Sequence, residues 1–117
     1  MDPEIARDFI YIDDTVAAFM ALATKEFKPG SVYNVGTGQQ TSLREVVTAA
    51  QELFDIKQEP HWGSMPNRKW DTSVWVANND KLKRELAWAP KYSFKEGLAK
   101  TREWHQEQAE QAAVKSH

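Results

Sequence analysis

Ser31-Val32-Tyr33-Asn34-Val35-Gly36-Thr37-Gly38-Gln39-Gln40-Thr41-Ser42-Leu43-Arg44-Glu45 is the stretch whose reading decides the fold. Its first five residues are rich in β-branched and aromatic side chains, the composition of a strand. The glycines at 36 and 38 let the backbone turn tightly or come close to a ligand. Ser42 and Glu45 form a capping box, each side chain satisfying a backbone N–H at the start of a helix. Behind it, Leu43, Val46, Val47, Ala50, Leu53 and Phe54 recur at helical spacing. Strand, turn and helix in that order are the first two-thirds of a βαβ unit. Gln58 to Trp62 offers the third element, with a right-handed crossover if the strands are parallel.

Upstream, Arg7-Asp8-Phe9-Ile10-Tyr11-Ile12 reads as a second strand, ending at Asp13-Asp14, either of which can cap the helix that follows. That helix, over residues 14–26, places Val16, Phe19, Met20 and Ala23 on one face, and Phe27-Lys28-Pro29-Gly30 stops it. Residues 1–6 carry no periodic signal and read as an entry segment, of the kind left when a chain is cut from something longer. Downstream lies the irregular stretch Met65-Pro66-Asn67-Arg68-Lys69-Trp70-Asp71, then a strand by composition over residues 73–77. Asn78 or Asn79 caps a short helix through Leu82 and Leu86 that stops before Pro90. Ser93 caps a last helix with Phe94, Leu98 and Trp104 as its apolar positions. The polar tail, residues 106–117, favours helix but has little to bury and is expected to fray. The expected fold is α/β (α+β), a small mixed sheet with about four helices, in one domain over residues 1–105.

Composition narrows the function. A chain of 117 residues supports one modest core. Seventeen acids against fifteen bases, with no basic run, argue against a nucleic-acid surface. Without cysteine there is neither a disulfide framework nor a thiolate metal site, and His61, His105 and His117 lack ligand spacing. No apolar run approaches the roughly twenty residues of a membrane span, so a soluble cytoplasmic protein is expected.

The residues favour an anion site over a catalytic one. Arg7 opens one expected strand and Arg68 lies just before another. If those strands pair antiparallel the two arginines share a rim, although sequence does not fix that register. Two planar guanidinium forks converging on one point suit a diphosphate. Asp71 can then accept hydrogen bonds from sugar hydroxyls, with Trp70 or Trp62 as a flat apolar wall. The competing reading pairs Arg7 with Asp8, Asp13 or Asp14, leaves Arg68 as an ordinary surface charge, and spends the five tryptophans mainly on the core. Gly36-Thr37-Gly38 lacks the third glycine of a dinucleotide fingerprint. Two glycines before a helix can hold a phosphate, but a plain tight turn is their commoner use. Asp13-Asp14 fits capping better than metal binding, and the hydrolase motifs GxSxG and HExxH are absent.

Taken together, residues 7–14 (RDFIYIDD), Val32 to Gly38, Ser42-Leu43-Arg44-Glu45, Arg68 to Asp71, Lys81, Leu86-Ala87-Trp88-Ala89-Pro90 and Phe94-Lys95-Glu96-Gly97-Leu98, closing on Thr101 and Trp104, resemble one family. They are similar to the C-terminal part of the NAD-dependent epimerase/dehydratases, the extended short-chain dehydrogenase/reductases that act on nucleotide sugars. The resemblance covers the chain from about Ile5 to His105. It implies a substrate-binding C-terminal domain in which Arg7 and Arg68 hold the diphosphate of a nucleoside-diphosphate sugar, Asp71 reaches the ribose, and Asn34 is a further contact. The family usually has aspartate where Asn78 stands, and asparagine caps a helix equally well. The resemblance also implies what is missing. The glycine-rich NAD fingerprint and a Tyr-x-x-x-Lys acid/base dyad belong to an N-terminal Rossmann half, whereas Tyr11, Tyr33 and Tyr92 are followed four residues on by Thr15, Thr37 and Glu96. NAD or NADP would be held by that half, so this chain is expected to bind no cofactor and to catalyse nothing alone. A bare strand edge and the helix face around Phe19 would then be covered by the Rossmann half or by a second copy, as a homodimer. The alternative is a stand-alone, non-catalytic binding or assembly module derived from the same fold.

Overall fold

The computed structural model of the protein describes residues 2–66, 68–69 and 74–115. In chain order the elements are β1 (Ala6–Arg7), α1 (Ile12–Thr24), β2 (Thr41–Ser42), α2 (Leu43–Phe54), α3 (Asp80–Leu86) and α4 (Phe94–Lys115). Four helices therefore accompany a small sheet, an antiparallel pair with Ala6 opposite Ser42 and Arg7 opposite Thr41.

The local signals at the helix starts act as their chemistry dictates. At α2 the Ser42 N–H donates to Glu45 Oε2 at 2.7 Å and the Glu45 N–H to Ser42 Oγ at 3.2 Å. Ser93 and Glu96 repeat the exchange at α4, both bonds being 3.2 Å. Before α3, Asn78 Oδ1 accepts from the Asp80 N–H at 3.0 Å. The Pro29-Gly30 turn closes with the Ser31 N–H on Lys28 O at 3.1 Å, and Gly30 takes the φ of +82° that such a turn demands.

Strand placement differs from the sequence reading in four places. Residues 8–11 do not extend the β1 ladder, and α1 begins at Ile12, with Tyr11 as N-cap and its carbonyl accepting from Asp14 and Thr15. Neither aspartate caps that helix with its side chain. Instead Asp14, 1% exposed, accepts the N–H groups of Lys91 at 2.9 Å and Tyr92 at 3.1 Å, while Trp88 Nε1 donates to its backbone carbonyl at 2.9 Å. The aspartate thus ties the first turn of α1 to the segment leading into α4. Residues 31–35 and 58–62 carry no ladder, so the βαβ unit does not close: among the described residues, no neighbouring strand pairs with either. The 74–77 stretch is likewise without a ladder. The entry segment, conversely, is integral. Ile5 and Ala6 are buried, and the Leu43 and Arg44 N–H groups at the start of α2 donate to Ile5 O and Pro3 O.

The core lies between α1 and α3, where Ala18, Leu82, Leu86 and Trp88 are buried and Ile10, Leu22, Tyr33 and Val35 pack around them. Lys25 Nζ closes α3 by donating to Leu86 O at 2.6 Å, and Lys81 Nζ reaches Val32 O at 3.0 Å, fastening residues 31–35 to α3. On the other side α4 packs across α2, and the Phe9–Phe94 and Tyr11–Tyr92 ring pairs, centroids 5.4 and 4.9 Å apart, hold its start against the segment between β1 and α1. Gly97 makes that approach feasible, since a Cβ there would lie 2.9 Å from Tyr11 Cβ. The helix is continuous to Lys115, with every residue from 103 to 115 exposed. Of the four tryptophans described, Trp88 alone is buried. Trp62, Trp75 and Trp104 are exposed, which corrects the assignment of tryptophan chiefly to the core. No helix is long and apolar enough to cross a membrane, among the described residues.

Candidate ligand groove

A groove of 770 Å³ opens between residues 33–36 and residues 75–78, with Asp8 at its base. Asp8 builds it. Its carboxylate accepts from the Thr37 N–H at 3.0 Å, the Gly38 N–H at 2.9 Å, the Ala77 N–H at 3.1 Å and the Thr37 hydroxyl. Burial pushes the carboxyl up, but the Thr37 hydroxyl and the Ala77, Thr37 and Gly38 N–H groups outweigh it, leaving Asp8 below the ordinary 3.8. The glycine turn is therefore filled from within: two of its amides already bind a carboxylate, which settles the Gly36-Thr37-Gly38 motif as a tight turn rather than a phosphate cradle.

Gly36 is obligatory in this packing. A Cβ added there would lie 2.5 Å from Ala77 Cβ and 2.8 Å from Asp8 Oδ2. Its carbonyl accepts from Asn79 Nδ2 at 2.8 Å, and Asn79 is 4% exposed. Asn78 thus serves the helix start while Asn79 pins the turn.

Arg7, half-buried at the end of β1, lays its guanidinium over the Trp75 ring at 4.9 Å from the centroid and donates from Nη1 to Ala6 O at 2.8 Å. Stacking is worth about 0.5–1 kcal/mol at exposed sites. It also ties the guanidinium to the segment that carries Trp75. The Asp8 and Asp14 carboxylates, two of the expected ion-pair partners, accept from backbone N–H groups. Asn34 is exposed on the groove wall. Asn34 lines the groove, whereas Arg7 does not and adjoins it only by its contact with Trp75. Arg68 is exposed in the loop between α2 and α3, and Asp71, like Trp70, lies outside the described residues. The expected antiparallel pairing of residues 7–12 with residues 73–77 gives way, where described, to β1 pairing with β2 and to a bond from the Ala77 N–H to the Asp8 side chain. Trp62 lies against Arg44, its centroid 5.9 Å from the guanidinium carbon, so Trp75 supplies the flat wall beside Arg7. Sequence reasoning passed over Trp75 and Asp8. A glycine turn whose N–H groups need an acceptor was the one available pointer to Asp8.

Comparison with known proteins gives consistent matches. A family model described as GDP-mannose 4,6 dehydratase matches residues 2–101. Human dTDP-D-glucose 4,6-dehydratase is 33% identical over 105 residues, 86% of this chain and 30% of that protein. Among solved structures, a UDP-glucose 4-epimerase from Thermotoga maritima, determined with UDP-glucose, superposes with a TM-score of 0.81 at 32% identity, covering 93% of this chain and 34% of its own. The Bordetella bronchiseptica enzyme WbmF, determined with NAD+ and UDP, gives 0.74 at 31% identity, covering 97% and 32%. The chain spans about a third of the length of the relatives it matches.

Proposed function

We propose, because this chain belongs to the NAD-dependent epimerase/dehydratase family, that it is the C-terminal nucleotide-sugar-binding portion of such an enzyme. Residues 1–105 form the binding unit and residues 106–117 a polar tail, helical or frayed. The observation that carries the reading is the Arg7 guanidinium set over the Trp75 ring beside the open groove that Asn34 lines. Arg7 and Arg68 hold the diphosphate of a nucleoside-diphosphate sugar, Asn34 contacts the ligand from the groove wall, and Asp71 accepts from the ribose hydroxyls. Two relatives' structures contain UDP-glucose and UDP, and the human relative is a dTDP-D-glucose 4,6-dehydratase, which supports a uridine- or thymidine-type ligand class.

The chain contributes binding rather than chemistry. Hydride transfer needs a nicotinamide and an acid/base pair, and here no tyrosine has a lysine four residues on. Catalysis therefore requires an N-terminal Rossmann half that binds NAD or NADP. The chain's surface supports such a partner. Its accessible area of 8796 Å² exceeds the roughly 6,500 Å² of a compact protein of this mass. Its radius of gyration, 17.7 Å, exceeds the roughly 13 Å expected. Ile12, Val16, Phe19 and Met20 form one stripe on α1, each about half exposed or more. That stripe packs against the Rossmann half, and in its absence against a second copy.

Titration calorimetry with UDP-glucose and dTDP-glucose tests the site. Binding by the native chain should weaken about 10-fold or more in Arg7→Ala and in Arg68→Ala, the scale of one lost charge-assisted hydrogen-bonding group. Unchanged affinity in both variants refutes the diphosphate assignment.

A further inference from the structure

The geometry points to Asp8 as the positioning residue of the groove: its carboxylate sets where the Arg7 guanidinium sits by holding together the three segments that surround it. This inference rests on the reading of Arg7 as a ligand-binding group, and it adds a residue that itself touches no ligand.

Three observations converge. The first is the donor set, in which one carboxylate collects N–H groups from the glycine turn and from Ala77, with the Thr37 hydroxyl between them. Asp8 directly follows Arg7, Gly36 closes the segment that carries Asn34, and Ala77 lies two residues beyond Trp75. Displacing the carboxylate therefore moves the arginine and its stacking surface relative to each other. The second is the fit. With Gly36 so close that any Cβ would meet Asp8 Oδ2 at 2.8 Å, the three segments share one tightly occupied point. The third is the lack of sheet pairing here. The β1 ladder ends at Arg7, and neither residues 33–36 nor residues 74–77 belong to a described ladder, so the Asp8 bonds, together with the Asn79 bond to Gly36 O, stand where sheet pairing would otherwise fix the register. Asparagine at this position is nearly isosteric, but its NH2 group would face donors instead of accepting from them.

The test uses the full chain, isotopically labelled, in wild-type form and as Asp8→Asn, with UDP as the probe. The wild-type Arg7 side-chain protons should show the upfield ring-current shift of a group stacked on Trp75. In Asp8→Asn that shift should collapse and UDP affinity should fall about 10-fold or more, while Leu82, Leu86 and Trp88 keep native chemical shifts. A merely structural role would move core and arginine resonances together. An Arg7 shift that survives in folded Asp8→Asn overturns the inference. Should Asp8→Asn fail to fold, Thr37→Val removes the one side-chain donor and keeps the turn's amides, and there too an unchanged Arg7 shift overturns it. Formate added to Asp8→Ala should partly restore the Arg7 shift, because it returns a carboxylate to the vacated donors. If wild type binds no UDP while the Arg7 shift still collapses in Asp8→Asn, the nucleotide-sugar reading fails and the positioning role stands. If UDP binds wild type and Asp8→Asn alike with the shift intact, the reverse holds.

Discussion

Replacing Asp14 by alanine should destabilise the protein more than any ordinary helix-cap loss. Its side chain is 1% exposed and accepts two backbone N–H groups, from Lys91 at 2.9 Å and Tyr92 at 3.1 Å. Alanine leaves both donors without their acceptor in a closed site. Each unsatisfied group costs about 1–3 kcal/mol, and partial entry of water lowers the total, so a loss of about 2–4 kcal/mol is expected. An N-cap deletion costs about 1 kcal/mol, which separates the two readings of this aspartate. Asp14→Asn retains one acceptor and should fall between wild type and alanine. Urea denaturation followed by far-UV circular dichroism measures the effect. With a slope of about 1.5 kcal/mol/M, within the range for small proteins, the midpoint should drop by about 1.3–2.7 M. Amide exchange at Lys91 and Tyr92 should accelerate beyond that of Ala18, which stays helical. A midpoint shift under about 0.5 M, with Lys91 and Tyr92 still protected, would refute the claim that Asp14 holds the α1–α4 junction.

Two further outcomes follow from the same structure. Because Asp8 sits below its ordinary value in the folded chain, the unfolded chain binds more protons just below pH 4, and stability rises with pH there. The Asp8 contribution should be fully present above about pH 4 and disappear as the pH falls through the folded value. Unfolding free energies of wild type and Asp8→Asn, measured from pH 7 down to pH 2, should accordingly converge at the acid end, and a gap that stays constant refutes the assignment. The exposed stripe of α1 should make the isolated chain self-associate at micromolar concentration, and Phe19→Lys, at a position 67% exposed, should return it toward monomer without loss of helicity. Sedimentation velocity showing a monomeric wild type at that concentration would remove the argument for a second copy on this face.

The physical character of the stripe explains an instructive mismatch. Val16, Phe19, Met20 and Ala23 have the spacing of a core-facing helix, yet Val16, Phe19 and Met20 are exposed, and the buried contact with α3 is made from the opposite side through Ala18, flanked by Ala17, Ala21 and Leu22. Hydrophobic periodicity reports that a face is apolar, not which partner covers it. The same limit applies to residues 31–35. Their composition marks a strand, but a ladder needs a neighbour, and among the described residues none is present.

What the sequence determined by itself was local chemistry. Both capping boxes, the Pro29-Gly30 turn and the starts of α2 and α4 depend on residues within three or four positions of one another, and each formed as its residue types require. The family pattern was equally legible, because it resides in the order and spacing of motifs, and it named Arg7 as a group to watch. Tertiary structure decided everything that depends on distant segments meeting. Asp14 is a junction tie rather than a cap because Lys91 and Tyr92, 77 and 78 residues away, point their N–H groups at it. The glycine turn is closed rather than phosphate-binding because Asp8, about 30 residues earlier, fills it. Trp75, not Trp62, stands over Arg7. Carboxylates and guanidinium groups are long enough and versatile enough to serve many partners, so their roles follow from which backbone the fold carries to them.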